Sequence, residues 1–456
     1  MKTRSKASRS WADFNMGRIS ELFRPSSRHA AWVLCAQAYF FFSYTFVYTF
    51  GLPRMLLYVN DALNVLIFVF ALYERKATAK YTSLIIGLMV LYCSFGAVGG
   101  ILNAEKPLAL VWGYRNIVRY FMYFYTCIVF LKKTDIDIVL RVVSIVFWVS
   151  VPLCAAEKFL VQYPEGTIVG DMVGGIFWNF SGSNLPLNLI ICLYLILIAS
   201  RYFDRTIKTW FFVATLVAAT FMAATAELKV YFAEMLIILI AAMMGKGISW
   251  RTFGTVLLGA GALAAASSYF VMLNAGTSST YADNYSLQGY IDYATRDSGY
   301  TGSNDLNRFT GIGMVATTIF NNDPLKLLFG IGLGNADYTN FFSTSFYDQH
   351  YSMHYQWFHA IWMFIENGYV GVILYLAIII VAWRACALYI PVGRIRTMTR
   401  VTCVLMIVLF FYNITLRMEP SGYLLMLIIA IPYMYAMEDH KAQRNNAIRN
   451  KRKAIR

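Results

Sequence analysis

Twelve apolar runs punctuate the chain, near 31–52, 55–72, 82–102, 108–131, 138–160, 185–200, 210–226, 229–245, 251–273, 357–383, 399–416 and 421–437. Most approach the ~20 residues that a helix needs to cross a bilayer core, far more than a barrel strand uses. The pattern predicts an all-α, polytopic membrane helical bundle of about 12 transmembrane helices. It divides the chain into an N-terminal tail (1–30), helices one to nine (31–273), one large loop (274–356), helices ten to twelve (357–437) and a C-terminal tail (438–456). The loop is polar and rich in Tyr, Asn and Ser, and long connections of this kind concentrate function. Within it, 307–321 has helical apolar spacing, "NNDP" reads as a turn and "GIGLGN" as a glycine-rich loop. A second segment, 161–184, is glycine-rich with aromatics and is expected to dip back into the membrane plane. No internal repeat is present.

Composition agrees: 59% of the residues are hydrophobic, 14% are charged, and mean hydropathy is +0.54, which excludes an ordinary soluble domain. Charge then orients the chain. With both termini cytoplasmic, 29 of the 39 Lys and Arg residues fall on the inner side, as the positive-inside rule requires. The net charge of +15 is therefore a topology signal, and nucleic acid is not an expected partner. Both basic tails belong on the anionic inner leaflet. The first apolar run is too long for a signal peptide and is expected to be retained. None of the seven cysteines lies in the large loop, so they report neither disulfides nor a zinc site.

Several charges sit where an apolar run should exclude them. Arg115 and Arg119, four apart in "LALVWGYRNIVRYFMYF", share one helical face and lie roughly 10 and 16 Å below the outer end of their run. Neither can face lipid, where a central Arg costs about 2.5–3.5 kcal/mol. A polar cavity that captures phosphate is one reading; a structural pairing with Glu105, Glu157 or Glu227 is the other. Glu227 and Lys229 in "TAELKVYF", and Arg417 and Glu419 in "LRMEPSG", raise the same choice between a site and a snorkelling salt bridge. Arg308, at the start of "NRFTGIGMVATTIF", either faces the same cavity or pairs with Asp305.

Three of the five histidines crowd into "DQHYSMHYQWFHAIWMFIENGYVG" (348–371). His350 and His354 at i, i+4 supply only half a zinc site, and the Glu of a HExxH motif is missing. Packing among Tyr351, Tyr355, Trp357 and Trp362 at an interface is a second reading. A catalytic base is a third, since histidine titrates near neutrality. "GIGLGN" lacks the GK[ST] of a nucleotide loop; backbone flexibility beside a sugar or phosphate is the expectation.

The order of these pieces, roughly over 170–375, resembles the O-antigen ligase and O-antigen polymerase family of bacteria. "FWNFSGSNLPLNL", with Asn184, is similar to that family's short outer segment ending in Asn. "NRF…NNDPLKLLFGIGLGN" lies in the late outer loop, and a His-containing segment runs into "FIENGYVGVILYL". Leu228-Lys229 stands where members carry Ser-Arg. Trp357 stands where family ligases place a histidine eleven residues before the glycine corresponding to Gly368, so that role shifts to His354. The resemblance implies a bacterial inner-membrane enzyme acting on undecaprenyl-diphosphate-linked glycans by metal-independent, inverting glycosyl transfer without a cofactor. It favours polymerisation of repeat units over ligation to lipid A core, with a flippase and a chain-length regulator as partners. The residues supply chemistry compatible with that reaction: His354 or Glu366 as base, and Arg115, Arg119, Lys229, Arg308, Arg417 and Asn184 as substrate-binding groups. A lipid-linked oligosaccharide flippase or other twelve-helix transporter is the rival of a different class, against which the long loop and the missing repeat both count.

Overall fold

A computed structural model describes residues 21–74, 79–103, 106–244, 254, 261, 299, 305–339 and 342–454. All of the ninth apolar run, 251–273, except residues 254 and 261, and most of 274–304 lie outside the described residues. The other eleven runs form helices: α1 (Arg28–Tyr44, continued by a π turn through Thr49), α2 (Leu56–Tyr73), α3 (Ala79–Leu102), α4 (Pro107–Phe130), α5 (Lys133–Phe159), α6 (Asn184–Phe203), α7 (Thr209–Thr225), α8 (Tyr231–Met243), α9 (His359–Tyr389), α10 (Arg394–Tyr412) and α11 (Glu419–Ala454). Eight are long and apolar enough to cross a membrane. α4 equals them in length but carries two arginines, and α7 and α8 are shorter. Among the described residues the only β pairing is an isolated bridge between Tyr338 and Ser343. The protein is thus an all-α integral membrane bundle.

Two departures from the sequence pattern bear on the site and the tail. The run at 399–416 stops being helical at Tyr412, so Arg417 lies in a break between α10 and α11. The expected C-terminal tail continues α11 as helix to Ala454.

Burial ranks the helices. The apolar stretch of α11 is 94% buried and that of α6 is 89% buried, against 22% for α2, so α11 and α6 form the centre and α2 lies at the rim. α11 packs on α4, α9 and α1, while α6 packs on α8, α10 and α5. Lipid tails are as apolar as these side chains, so shape and hydrogen bonding, rather than water exclusion, hold such helices together. Aromatic stacking of Tyr423 on Phe40 (4.1 Å between ring centroids) fits α11 against α1. At the end opposite the large loop, Asp135 ties the start of α5 to Ser26 through its backbone N (2.7 Å) and Oγ (2.6 Å).

At the other end, called here the loop end, the chain between α8 and α9 does not merely sit on the surface. A short helix, Pro324–Phe329, is capped by Asp323 Oδ1 on Leu325 N (3.0 Å), and "GIGLGN" then threads between α3, α4 and α9. At Gly334 (φ 85) a Cβ would stand 2.0 Å from Ala109 O of α4. Gly368 (φ 60, ψ −164) breaks α9, and near that break Ile365 O and Glu366 O accept from Ile331 N (2.8 Å) and Gly332 N (2.9 Å). These glycines serve close backbone approach, which corrects the expectation that they give flexibility beside a substrate.

Candidate functional site

The break between α10 and α11 positions the central group. Asn413 Oδ1 accepts from Thr415 N (3.0 Å), and Arg417 O accepts from Tyr120 OH (2.6 Å), which fixes the backbone on either side of the arginine. The Arg417 guanidinium lies 3.6 Å from the centroid of the Trp362 ring. Its Nη1 donates to Glu366 Oε2 (3.0 Å) and its Nη2 to Asp337 Oδ2 (3.3 Å). All three groups are buried. Glu366 Oε1 accepts from Gly334 N (2.9 Å), so the threaded glycine loop occupies one oxygen and Arg417 the other. Asp337 Oδ2 also accepts from Asn116 Nδ2 (2.8 Å).

One guanidinium thus faces two carboxylates. Burial pushes the Asp337 carboxyl up to about 7 and Glu366 adds to the rise, while Arg417 and the Asn116 hydrogen bond pull it down. Desolvation of the charged form outweighs the single cation.

Arg115 and Arg119 are partnered by Asp61 and Glu419 and not by Glu157 or Glu227; Glu105 lies outside the described residues. Arg115 donates from Nε to Asp61 Oδ2 of α2 (2.8 Å) and lies over the rings of Trp112 (4.4 Å) and Tyr58 (5.3 Å). Arg119 is buried against Glu419, the first residue of α11, with Asp61 Oδ1 at 3.8 Å. Asn60 joins the same carboxylate from α2. Arg119 is therefore an internal tie between α4 and α11, whereas the Arg115 side chain keeps 23% of its surface accessible. Arg115 lies at a groove of about 330 Å³ between α2 and α4, whose apolar walls are Val65, Val111, Val118 and Met122. Val65 and Val111 are exposed on the side of the bundle.

Asp337 and Trp362, which contact Arg417, line a cavity of about 390 Å³ together with Tyr338, Tyr347, His354 and Trp357, among others. His354 has left-handed backbone (φ 54) and stacks flat on Trp357 (4.1 Å, 2°). That turn also separates it from His350, which ends the short helix Ser345–His350 and packs on Phe346 (4.7 Å). The i, i+4 helical pairing of His350 and His354, one of the readings open from sequence, is thus not formed. His359 is buried between Tyr375 and Phe410 (5.2 and 5.3 Å). Among the described residues no cluster of three His, Cys, Asp or Glu side chains is arranged to hold a metal.

The remaining candidates gather elsewhere at the loop end. Glu157 of α5 accepts from Gly175 N (2.6 Å) and Asn179 N (2.8 Å) and pins the 161–184 segment. There Asn184 Nδ2 donates to Asp171 Oδ1 (3.2 Å) and to Ala226 O (3.3 Å). Lys158 stands 3.9 Å from Glu227, whose carboxyl is raised by burial while Lys158 and Lys229 oppose the rise. Arg308 donates from Nε to Tyr412 O (3.0 Å), stacks over the Tyr412 ring (4.3 Å), and lowers the burial-raised Asp171 carboxyl. The structure therefore sorts the sequence candidates into two groups. Arg115, Arg119, Glu366 and Arg417 join with His354 nearby, and Asn184, Lys229 and Arg308 lie around Asp171 and Glu227.

The sequence pattern gave no site role to Asp61 or Asp337 and offered Trp362 only as interface packing. Asp61 carried a usable signal, being an acid inside an apolar run; Asp337 was one of seven loop aspartates with nothing to mark it. No protein-family model matches the chain, and no curated protein does. Function is therefore argued from the chemistry of the site.

Proposed function

We propose that the chain is a glycosyltransferase of the bacterial cytoplasmic membrane, with both termini cytoplasmic, that extends undecaprenyl-diphosphate-linked oligosaccharides at the outer face. The observation that carries this reading is the aromatic-walled cavity lined by Asp337 and Trp362, the two side chains that Arg417 backs. Aromatic rings offer apolar faces to sugar rings, and its volume lies within the usual range for small-ligand sites. An acceptor hydroxyl in the cavity meets two groups able to take its proton, His354 and Asp337. Glu366, with both oxygens engaged, supports Arg417 as a positioning residue.

In the proposed step the acceptor oxygen bonds to the anomeric carbon of the donor sugar as the bond from that carbon to the diphosphate oxygen breaks. The electron pair leaves with the diphosphate and the hydroxyl proton passes to the base. Charge grows on the leaving group, which fixed guanidinium groups stabilise in a dry site. Arg115 is the accessible one, and the apolar groove beside it suits the lipid tail of the donor. Ligation to lipid A core or another acceptor is the same chemistry with a different hydroxyl.

A transporter reading keeps one observation in its favour: a buried arginine shared by two carboxyls is also how proton-coupled carriers hold charge in a membrane. Reconstitution separates the two. Purified protein with the lipid-linked repeat unit should lengthen glycan chains in detergent, where no gradient exists. Absence of extension there, with movement of the same lipid across sealed vesicles, would establish the transporter instead.

A further inference from the structure

The seam between α6 and α8 buries one carboxylic side chain, near which the Tyr231 hydroxyl of α8 meets Thr220 and Met235. Glu234, one turn into α8, is fully buried, as is Asn188 of α6. Glu234 Oε2 accepts from Asn188 Nδ2 (2.8 Å) and from Cys192 Sγ (3.3 Å), also of α6. Its second oxygen, Oε1, has no hydrogen-bond partner, and neither has Asn188 Oδ1. No cationic side chain is among the partners of the carboxyl.

An ionised carboxylate here would be a charge without a counterion in a buried seam. It would also leave two acceptor oxygens, on side chains already joined, with no hydrogen between them. A primary amide carries a donor and an acceptor in one plane, and a carboxylic acid carries the same two in the opposite order. We infer that Glu234 is a proton-binding site: its Oε1–H donates to Asn188 Oδ1 while Asn188 Nδ2 donates to Oε2, closing a two-bond acid–amide ring. The ligand is a proton and not a metal ion, because only two oxygens are open and a hard cation takes about six.

The consequence is mechanical. The ring ties α6 to α8 just beneath the 226–230 turn, where Asn184 holds Ala226 O and Lys158 approaches Glu227. Loss of the proton breaks one bond of the ring and leaves an uncompensated charge, loosening the seam under that cluster. This inference stands apart from the proposed glycosyl transfer and is tested without it.

The test is infrared spectroscopy of the full chain in lipid nanodiscs at neutral pH, comparing wild type with Glu234→Gln. Glutamine reproduces the hydrogen-bond pattern of the protonated acid, so this variant should fold with an unchanged melting temperature. The spectrum of wild type minus variant should contain the carbonyl stretch of a protonated carboxylic acid, shifting in D2O. Loss of a carboxylate stretch instead, or failure of Glu234→Gln to fold, overturns the assignment. In Asn188→Leu the acid band should move to the position of an acid without its amide partner; an unmoved band likewise overturns it.

Discussion

Arg417, in the break that separates α10 from α11, donates to Glu366 of α9 at 3.0 Å, and the same guanidinium lies 3.6 Å from the centroid of the Trp362 ring. Removing it leaves two buried carboxyls without their cation. Breaking a buried pair by deleting one partner costs about 3–5 kcal/mol, so Arg417→Ala should lose stability on that scale. Arg417→Lys should recover only part, because an ammonium cannot fork to two carboxylates while stacking on an indole. Melting temperatures of the purified variants in one detergent check this; equal stability of wild type and Arg417→Ala would show that the bridge contributes nothing.

Arg115 and Arg119, alike in sequence, should behave differently. Arg119 is an enclosed tie to Glu419, so Arg119→Ala should lower expression and melting temperature together. Arg115 is reachable from the groove, so Arg115→Ala should leave the melting temperature nearly unchanged and cut glycan extension by roughly 10²–10³-fold, the usual loss on removing one charge-stabilising donor. Full extension by Arg115→Ala would remove that residue from substrate binding.

Asp337 gives the site a pH dependence with a definite sign. Its carboxyl is raised by burial to near neutrality, whereas in the unfolded chain it releases its proton near 4. Between those values the folded state holds the proton and the unfolded state does not, so stability falls as pH rises through this window and levels off above it. Asp337→Asn should flatten that slope. Thermal melts of both proteins across this range measure it, and parallel curves would mean Asp337 is not the titrating group.

Much of this architecture was legible because apolar length is a strong signal: Arg394–Tyr412 and Asn184–Phe203 announce themselves by composition alone. Partnerships were less legible. Arg115 and Arg119 stood out as arginines inside an apolar run, but their partners come from α2 and from the start of α11, hundreds of residues away in the case of Glu419, and no local spacing encodes that. "GIGLGN" looked flexible because glycine allows flexibility and close packing equally, and only the neighbouring backbone of α4 and α9 decides between them. Arg417 was visible, whereas the break that frees it is marked only by Asn413 and Thr415 between apolar neighbours, too short a signal to divide the run.

The histidines provide the last prediction. His354 lines the cavity with its ring flat on Trp357, His350 packs on Phe346 beside it, and His359 is enclosed between Tyr375 and Phe410. If His354 takes the acceptor proton, His354→Gln should lose extension by about 10²–10⁴-fold, the usual range for a general base, without loss of fold. His350→Gln should remain active. His359→Phe should act through stability, since its ring contacts are with aromatic neighbours. Running the reconstituted reaction with and without a chelator separates a metal-free base from a metal ligand. Retained activity in His354→Gln together with its loss in a stably folded Asp337→Asn would transfer the role of base to Asp337, and chelator sensitivity of the wild type would defeat both assignments.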